Sequence, residues 1–129
     1  MNTKKWVAKL CLALSLLGGA QLAHADDDFT LGRTILLGKS DHAAKIPLVV
    51  CRRTDAIQVK AEKGLFLQKV KVNFRNGESK TIQFQRWLKE DKKTAWREFA
   101  YKRCVKSLEV YGKAKDRDST AGVRVYGRD

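Results

Sequence analysis

Cys104 stands in YKRCVKSLEVYGK, between a basic cluster and an alternating apolar run. A cysteine so placed could be a nucleophile, a metal ligand or half of a crosslink. A catalytic thiol needs a base beside it, and the only imidazole beyond the first 25 residues is His42. A metal site needs several ligands at close spacing, and no Cys-x-x-Cys or His pair is present. Cys11 lies in an N-terminal segment expected to be removed, which leaves Cys51 and Cys104 as a pair. An even count in an exported chain reads as a disulfide. The link would close a loop of about 54 residues and stabilise the fold by roughly 4 kcal/mol.

Other groups that could do chemistry are weaker. His42 adjoins Asp41 in GKSDHAAK, where a solvated loop histidine is the simpler reading. Asp116 and Asp118 in DRDST have the oxygens that calcium needs, but Arg117 between them and the turn chemistry of Asp and Ser argue for a loop. No nucleophile elbow, phosphate loop or zinc motif is present. The expectation is a protein without catalytic residues, cofactor or metal. The basic residues are more suggestive. Arg86, Lys89, Lys92, Lys93, Arg97, Lys102 and Arg103 are interleaved with Trp87, Trp96, Phe99 and Tyr101. Cations beside aromatic faces suit an anionic ligand. Trp87 and Tyr101 are the candidate aromatic contacts, whereas Trp96 and Phe99 suit a core. The formal net charge of +13 attracts the chain to anionic surfaces and disfavours basic partners.

Export restricts what that ligand can be. MNTKKWVAK is basic, LCLALSLLGGA is apolar, and Ala23 and Ala25 fit a small-x-small cleavage site. This is the layout of a secretory signal peptide, expected over residues 1–25. Cys11 stands at the start of the apolar run, unlike a lipoprotein cysteine. Residues 26–129 are then one domain. The periplasm is the expected compartment, and nucleic acid is an unfavoured partner there. An anionic envelope component, a phosphorylated glycolipid or charged glycan, is the leading expectation. A protein-interaction or inhibitor module of the envelope is the alternative.

Strand signals dominate the elements that must position these groups. DDDFTLGR begins with three acids and reads as a loose end. RTILLGK, KIPLVVCRR and DAIQVKAE read as separate strands, with Ile57, Val59 and Ala61 on one face. In QKVKVNFRNGESKTIQFQ, Val70, Val72 and Phe74 share a face. A two-residue Asn-Gly turn would put Ile82 and Phe84 on the opposite face. A three-residue loop, Arg75-Asn76-Gly77, with Gly77 left-handed, pairs Val72 with Lys80 and Val70 with Ile82, and the apolar sets then agree. TAWREF is read as strand over helix, and Asp91 to Thr94 as a turn. CVKSLEVYG is interrupted by Lys106, and AGVRVYG closes the chain with Ala121, Val123 and Val125 inward. Seven or eight short strands predict an all-β, two-layer antiparallel sandwich of jelly-roll type.

The run IPLVVCR, IQVKAEKGLFLQKVKVNFRNG, KRCVKSLEVYG and AGVRVYG resembles the YaaI-like family of small exported proteobacterial proteins. Cys51-Arg52 and Lys102 to Val105 carry the resemblance most specifically. It implies a β assignment for TAWREF and export, and brings no catalytic residue.

Overall fold

In a computed structural model, residues 28–39 and 43–129 are described. The expected leader at 1–25, Cys11, Asp41 and His42 lie outside the described residues. Within them run six strands: β1 (Asp28–Leu37), β2 (Ala44–Ala61), β3 (Leu65–Phe74), β4 (Ser79–Leu88), β5 (Arg97–Ala114) and β6 (Thr120–Arg128). All pairings are antiparallel, in the order β1-β6-β2-β5-β3-β4. The all-β class is as expected.

The hairpin of β3 and β4 has the register that its turn chemistry dictates. Val72 pairs with Lys80 and Val70 with Ile82. Gly77 has φ +93°, a conformation that costs glycine little. Further along, Gln85 at φ 47° marks an extra residue in β4. Across that irregularity the buried set of β3 switches from Leu65 and Leu67 to Val70 and Val72, while Ile82, Phe84 and Leu88 of β4 all stay inside and Trp87, paired with Phe66, stays outside.

Three expectations are corrected. The strands number six among the described residues, because KIPLVVCRR and DAIQVKAE are halves of the 18-residue β2. Of TAWREF only Arg97 to Phe99 is strand, and with CVKSLEVYG it forms part of β5, also 18 residues. No glycine or turn residue separates the halves, so each strand bends at register shifts and continues. The expected pair of sheets is therefore one continuous sheet. β2 pairs with β5 as far as Ile57, and from Ala56 to Ala61 it also runs beside β6. DDDFTLGR is also no loose end from Asp28 on, since Asp28 to Thr30 pair with Arg128 to Tyr126.

The bend carries β1 over strands to which it is not hydrogen-bonded. Gly32 lies against Ile46 of β2, and Leu36 approaches Gly112 of β5. The core forms in between, from Leu36, Ile57, Val59, Leu65, Leu67, Val70, Val72, Leu108, Val110, Val123 and Val125, all essentially water-free. Each such side chain contributes roughly 1.5–3 kcal/mol by leaving water. The interruption at Lys106 is a bulge: Phe74 pairs with Val105 and Asn73 with Ser107, so Lys106 is skipped and both Val105 and Leu108 point inward.

The segment after β4 does more than turn. It returns along the edge of β2 that β5 has left. The Ala61 N–H donates to the Lys92 carbonyl at 2.9 Å, and the Thr94 N–H to the Val59 carbonyl at 2.8 Å. The Thr94 hydroxyl accepts the Val59 N–H at 3.1 Å and donates to the Ala95 carbonyl at 2.9 Å. Thr94 is one of the few buried polar side chains. Thr94→Val removes the acceptor for a buried N–H, and a loss of about 1–3 kcal/mol is expected. Urea unfolding measures it, and Thr94→Ser, which keeps the hydroxyl, should recover most of the stability.

Charged residues on the outer faces pair locally. Arg33 holds Glu62 by two nitrogens at 2.7–2.9 Å, and Arg124 adds a contact at 3.4 Å. The Arg33 hydrogen bonds hold the Glu62 carboxyl below its usual range.

Candidate functional site

The interleaved cations and aromatics do not converge on one place. They separate towards the two ends of β3, a ten-residue strand of about 30 Å.

At the first end, Trp87 projects from edge strand β4 and is 59 % exposed. Phe66 supports it edge-on, with ring centroids 5.2 Å apart. Lys113 lies beyond, paired with Phe66 across β5. Trp87 lines two neighbouring clefts of about 470 and 430 Å³. Gly38, Lys39, Lys113, Lys115 and Arg117 line the first, and Lys89, Glu90 and Lys115 line the second. Among the described residues none of Lys39, Lys89, Lys113, Lys115 and Arg117 forms an ion pair. An indole face ringed by cations can stack on a sugar ring and bind its acidic substituents. Arg86 is next in β4 but sits opposite buried Leu67, on the other parity. Backbone contacts hold the ring of loops together: the Gly38 N–H donates to the Ser119 carbonyl at 3.0 Å and the Ser119 hydroxyl to the Asp116 carbonyl at 2.9 Å.

At the second end, Cys51 and Cys104 are joined as expected, with Cα atoms 5.3 Å apart. Arg103 pairs with Glu78 and lies 4.0 Å over the ring of Phe74 and 5.0 Å over that of Tyr101. Lys102 pairs with Asp129 at 2.6 Å. That hydrogen bond, with the nearby charges of Arg53 and Arg52, holds the Asp129 carboxyl below its usual range. Tyr101 is 61 % exposed and lines a groove with Arg75 and Cys104.

The remaining residues lie along the body. Arg97 donates to the Gln83 carbonyl at 3.0 Å and stacks 5.1 Å over Phe84. Lys93 bridges Lys60 and stands 5.2 Å over Tyr126. Lys92 is exposed and offers its carbonyl to β2. Phe99 is core, and Trp96 is half-buried beneath the Arg128 guanidinium.

Sequence reasoning therefore placed Trp87 and Lys89 in the same segment as Tyr101, Lys102 and Arg103, and folding parts them. It missed Lys39, Lys113, Lys115 and Arg117, which reach Trp87 from the β1–β2 connection, the end of β5 and the β5–β6 connection. The only signal for them was the basic run Lys113, Lys115, Arg117, read as a polar loop although Lys113 belongs to the end of β5.

A family model described as Domain of unknown function (DUF2541) matches residues 10–127. No curated protein and no solved structure matches the chain.

Proposed function

The chain belongs to the family described as Domain of unknown function (DUF2541), and we propose that it is a non-catalytic binding protein of the cell envelope. Its ligand in this reading is an anionic envelope component, a phosphorylated glycolipid or charged glycan, held on the Trp87 shelf. One observation carries the reading: an exposed indole, propped by Phe66, between two clefts whose five lysine and arginine side chains have no ion-pair partner among the described residues. The signal-like layout of residues 1–25, the resemblance to YaaI-like exported proteins and the Cys51–Cys104 link support the compartment. The indole supplies a flat apolar face, while Lys113, Lys115 and Arg117 meet phosphate, sulfate or carboxylate groups.

Titration with heparin oligosaccharides, a soluble sulfated glycan, tests this. The indole N–H resonance of Trp87, assigned by its loss in Trp87→Ala, is expected to shift, with that of Trp96 unmoved. Reversing charge in Lys113→Glu/Lys115→Glu is expected to weaken binding about tenfold, the sum of two exposed charge interactions, and to flatten its salt dependence. Unchanged affinity in that double variant and in Trp87→Ala would remove the shelf as the site.

A further inference from the structure

The opposite end of β3 carries a feature that the anionic-ligand reading leaves unused. Pro47 pairs with Ser107 and Arg52 with Val105, so four residues of β2, Leu48 to Cys51, stand opposite the single residue Lys106. The excess chain leaves the sheet as a wide bulge. Val49 at its tip is fully exposed and Val50 is 75 % exposed. Adjacent β-branched side chains held largely in water are unusual in a strand whose other half is buried.

The bulge is fixed at its base. Leu48 packs on the core, and Cys51 is tied to Cys104. The Arg75 N–H donates to the Cys104 carbonyl at 2.9 Å, which brings Arg75 beside the link. A rigid apolar tip loses little conformational freedom on binding. Its rim is cationic. Arg75 and Lys106 line a groove of about 500 Å³ with Leu48 to Cys51. Arg53 follows in the chain, opposite Cys104. None of these three has an ion-pair partner among the described residues; Glu78 and Asp129 are paired elsewhere, and Arg53 also shares a cleft with Asp28 and Asp129.

We propose that this bulge is a membrane-docking prong: Val49 and Val50 enter the headgroup–acyl boundary of an anionic bilayer while Arg53, Arg75 and Lys106 meet lipid phosphates. An apolar tip inside a basic collar is the arrangement that surface binding to anionic lipid rewards, since apolar burial and attraction to the negative leaflet add. A protein groove would satisfy the valines, yet the unpaired collar calls for a surface of many phosphates. Docking is peripheral and turns the Trp87 shelf, at the far end of β3, away from the bilayer.

Sedimentation with sucrose-loaded vesicles tests the prong. The oxidised protein is expected to sediment with phosphatidylglycerol–phosphatidylethanolamine vesicles and to stay in solution with phosphatidylcholine. Val49→Asp/Val50→Asp is expected to cut vesicle binding more than tenfold, with an unchanged melting temperature and unchanged heparin binding at the shelf. Arg53→Glu/Lys106→Glu should cut it similarly and reduce its salt dependence. Soluble glycerol phosphate should not compete, because it lacks an acyl region. The proposal is overturned if the wild-type protein ignores phosphatidylglycerol vesicles, if the valine variant sediments like wild type, or if glycerol phosphate displaces the protein. A bulge-dependent crosslink to an envelope protein, without vesicle binding, would likewise overturn it in favour of a protein partner.

Discussion

Removing the crosslink, as Cys51→Ala/Cys104→Ala, is expected to lower the melting temperature by about 15–30 °C, the equivalent of roughly 4 kcal/mol in a domain near 100 residues. The link joins positions 53 residues apart. In the native sheet it adds little order, because Arg53 already faces Cys104 in the β2–β5 ladder. Its effect falls on the unfolded chain, where it forbids the extended states of everything from the end of the bulge to the middle of β5. Stability of only about 5–15 kcal/mol makes such a contribution decisive. Calorimetry of the oxidised protein against the reduced one measures it without mutation. Melting points within about 5 °C of each other would show that the unfolded chain is already compact or that the native link is strained. The variant should also free the valine bulge, so vesicle binding should fall along with stability.

The second large effect comes from one methyl group. Gly112→Ala is expected to cost about 3 kcal/mol, at the upper end of overpacking penalties. A Cβ at Gly112 would collide with the Phe66 carbonyl oxygen and crowd the Leu67 Cα at 3.3 Å and the Leu36 Cδ1 at 3.2 Å. Side chains can rotate away, but the Phe66 carbonyl belongs to β3, which is paired to β4 and β5 on its two sides. Relief requires breaking the pairing at Leu67 and Gly112. Gly64→Ala is the matched control, because its nearest neighbour would be the Lys115 Cδ at 3.6 Å and its φ is not positive. It should lie within about 0.5 kcal/mol of wild type, or slightly above it through a stiffer unfolded chain. Equal urea midpoints for the two variants would contradict so close an approach of β3 and β5. Phe66 also props Trp87, so Gly112→Ala should weaken glycan binding at the shelf.

Much of the fold was legible because it is local. Ile57, Val59 and Ala61 alternate with polar residues and are buried as their parity requires. The Arg75-Asn76-Gly77 loop was the solution that kept Val70, Val72, Ile82 and Phe84 on one face, and the paired registers agree. A change of one residue would have turned the whole strand over. The strand count was not legible. Nothing in KIPLVVCRRTDAIQVKA states whether the charged middle is a turn or a bend, since Arg52, Arg53 and Asp55 suit either. The candidate site was legible in kind and not in place. Basic and aromatic residues adjacent in sequence end about 30 Å apart, while Lys39, Lys113 and Arg117 assemble around Trp87.

By itself the sequence determined residue parity, one hairpin register, the cysteine pairing and the predominance of strands. Each follows from interactions within a few residues, or from there being a single partner to choose. Tertiary structure decided that β2 and β5 run unbroken through their bends, that four residues are extruded opposite Lys106, and that cations with no ion-pair partner among the described residues gather at both ends of β3. Those outcomes depend on closing one sheet over a shared core. That closure matches segments far apart in the chain, and extra residues must leave the ladder wherever the two sides differ in length.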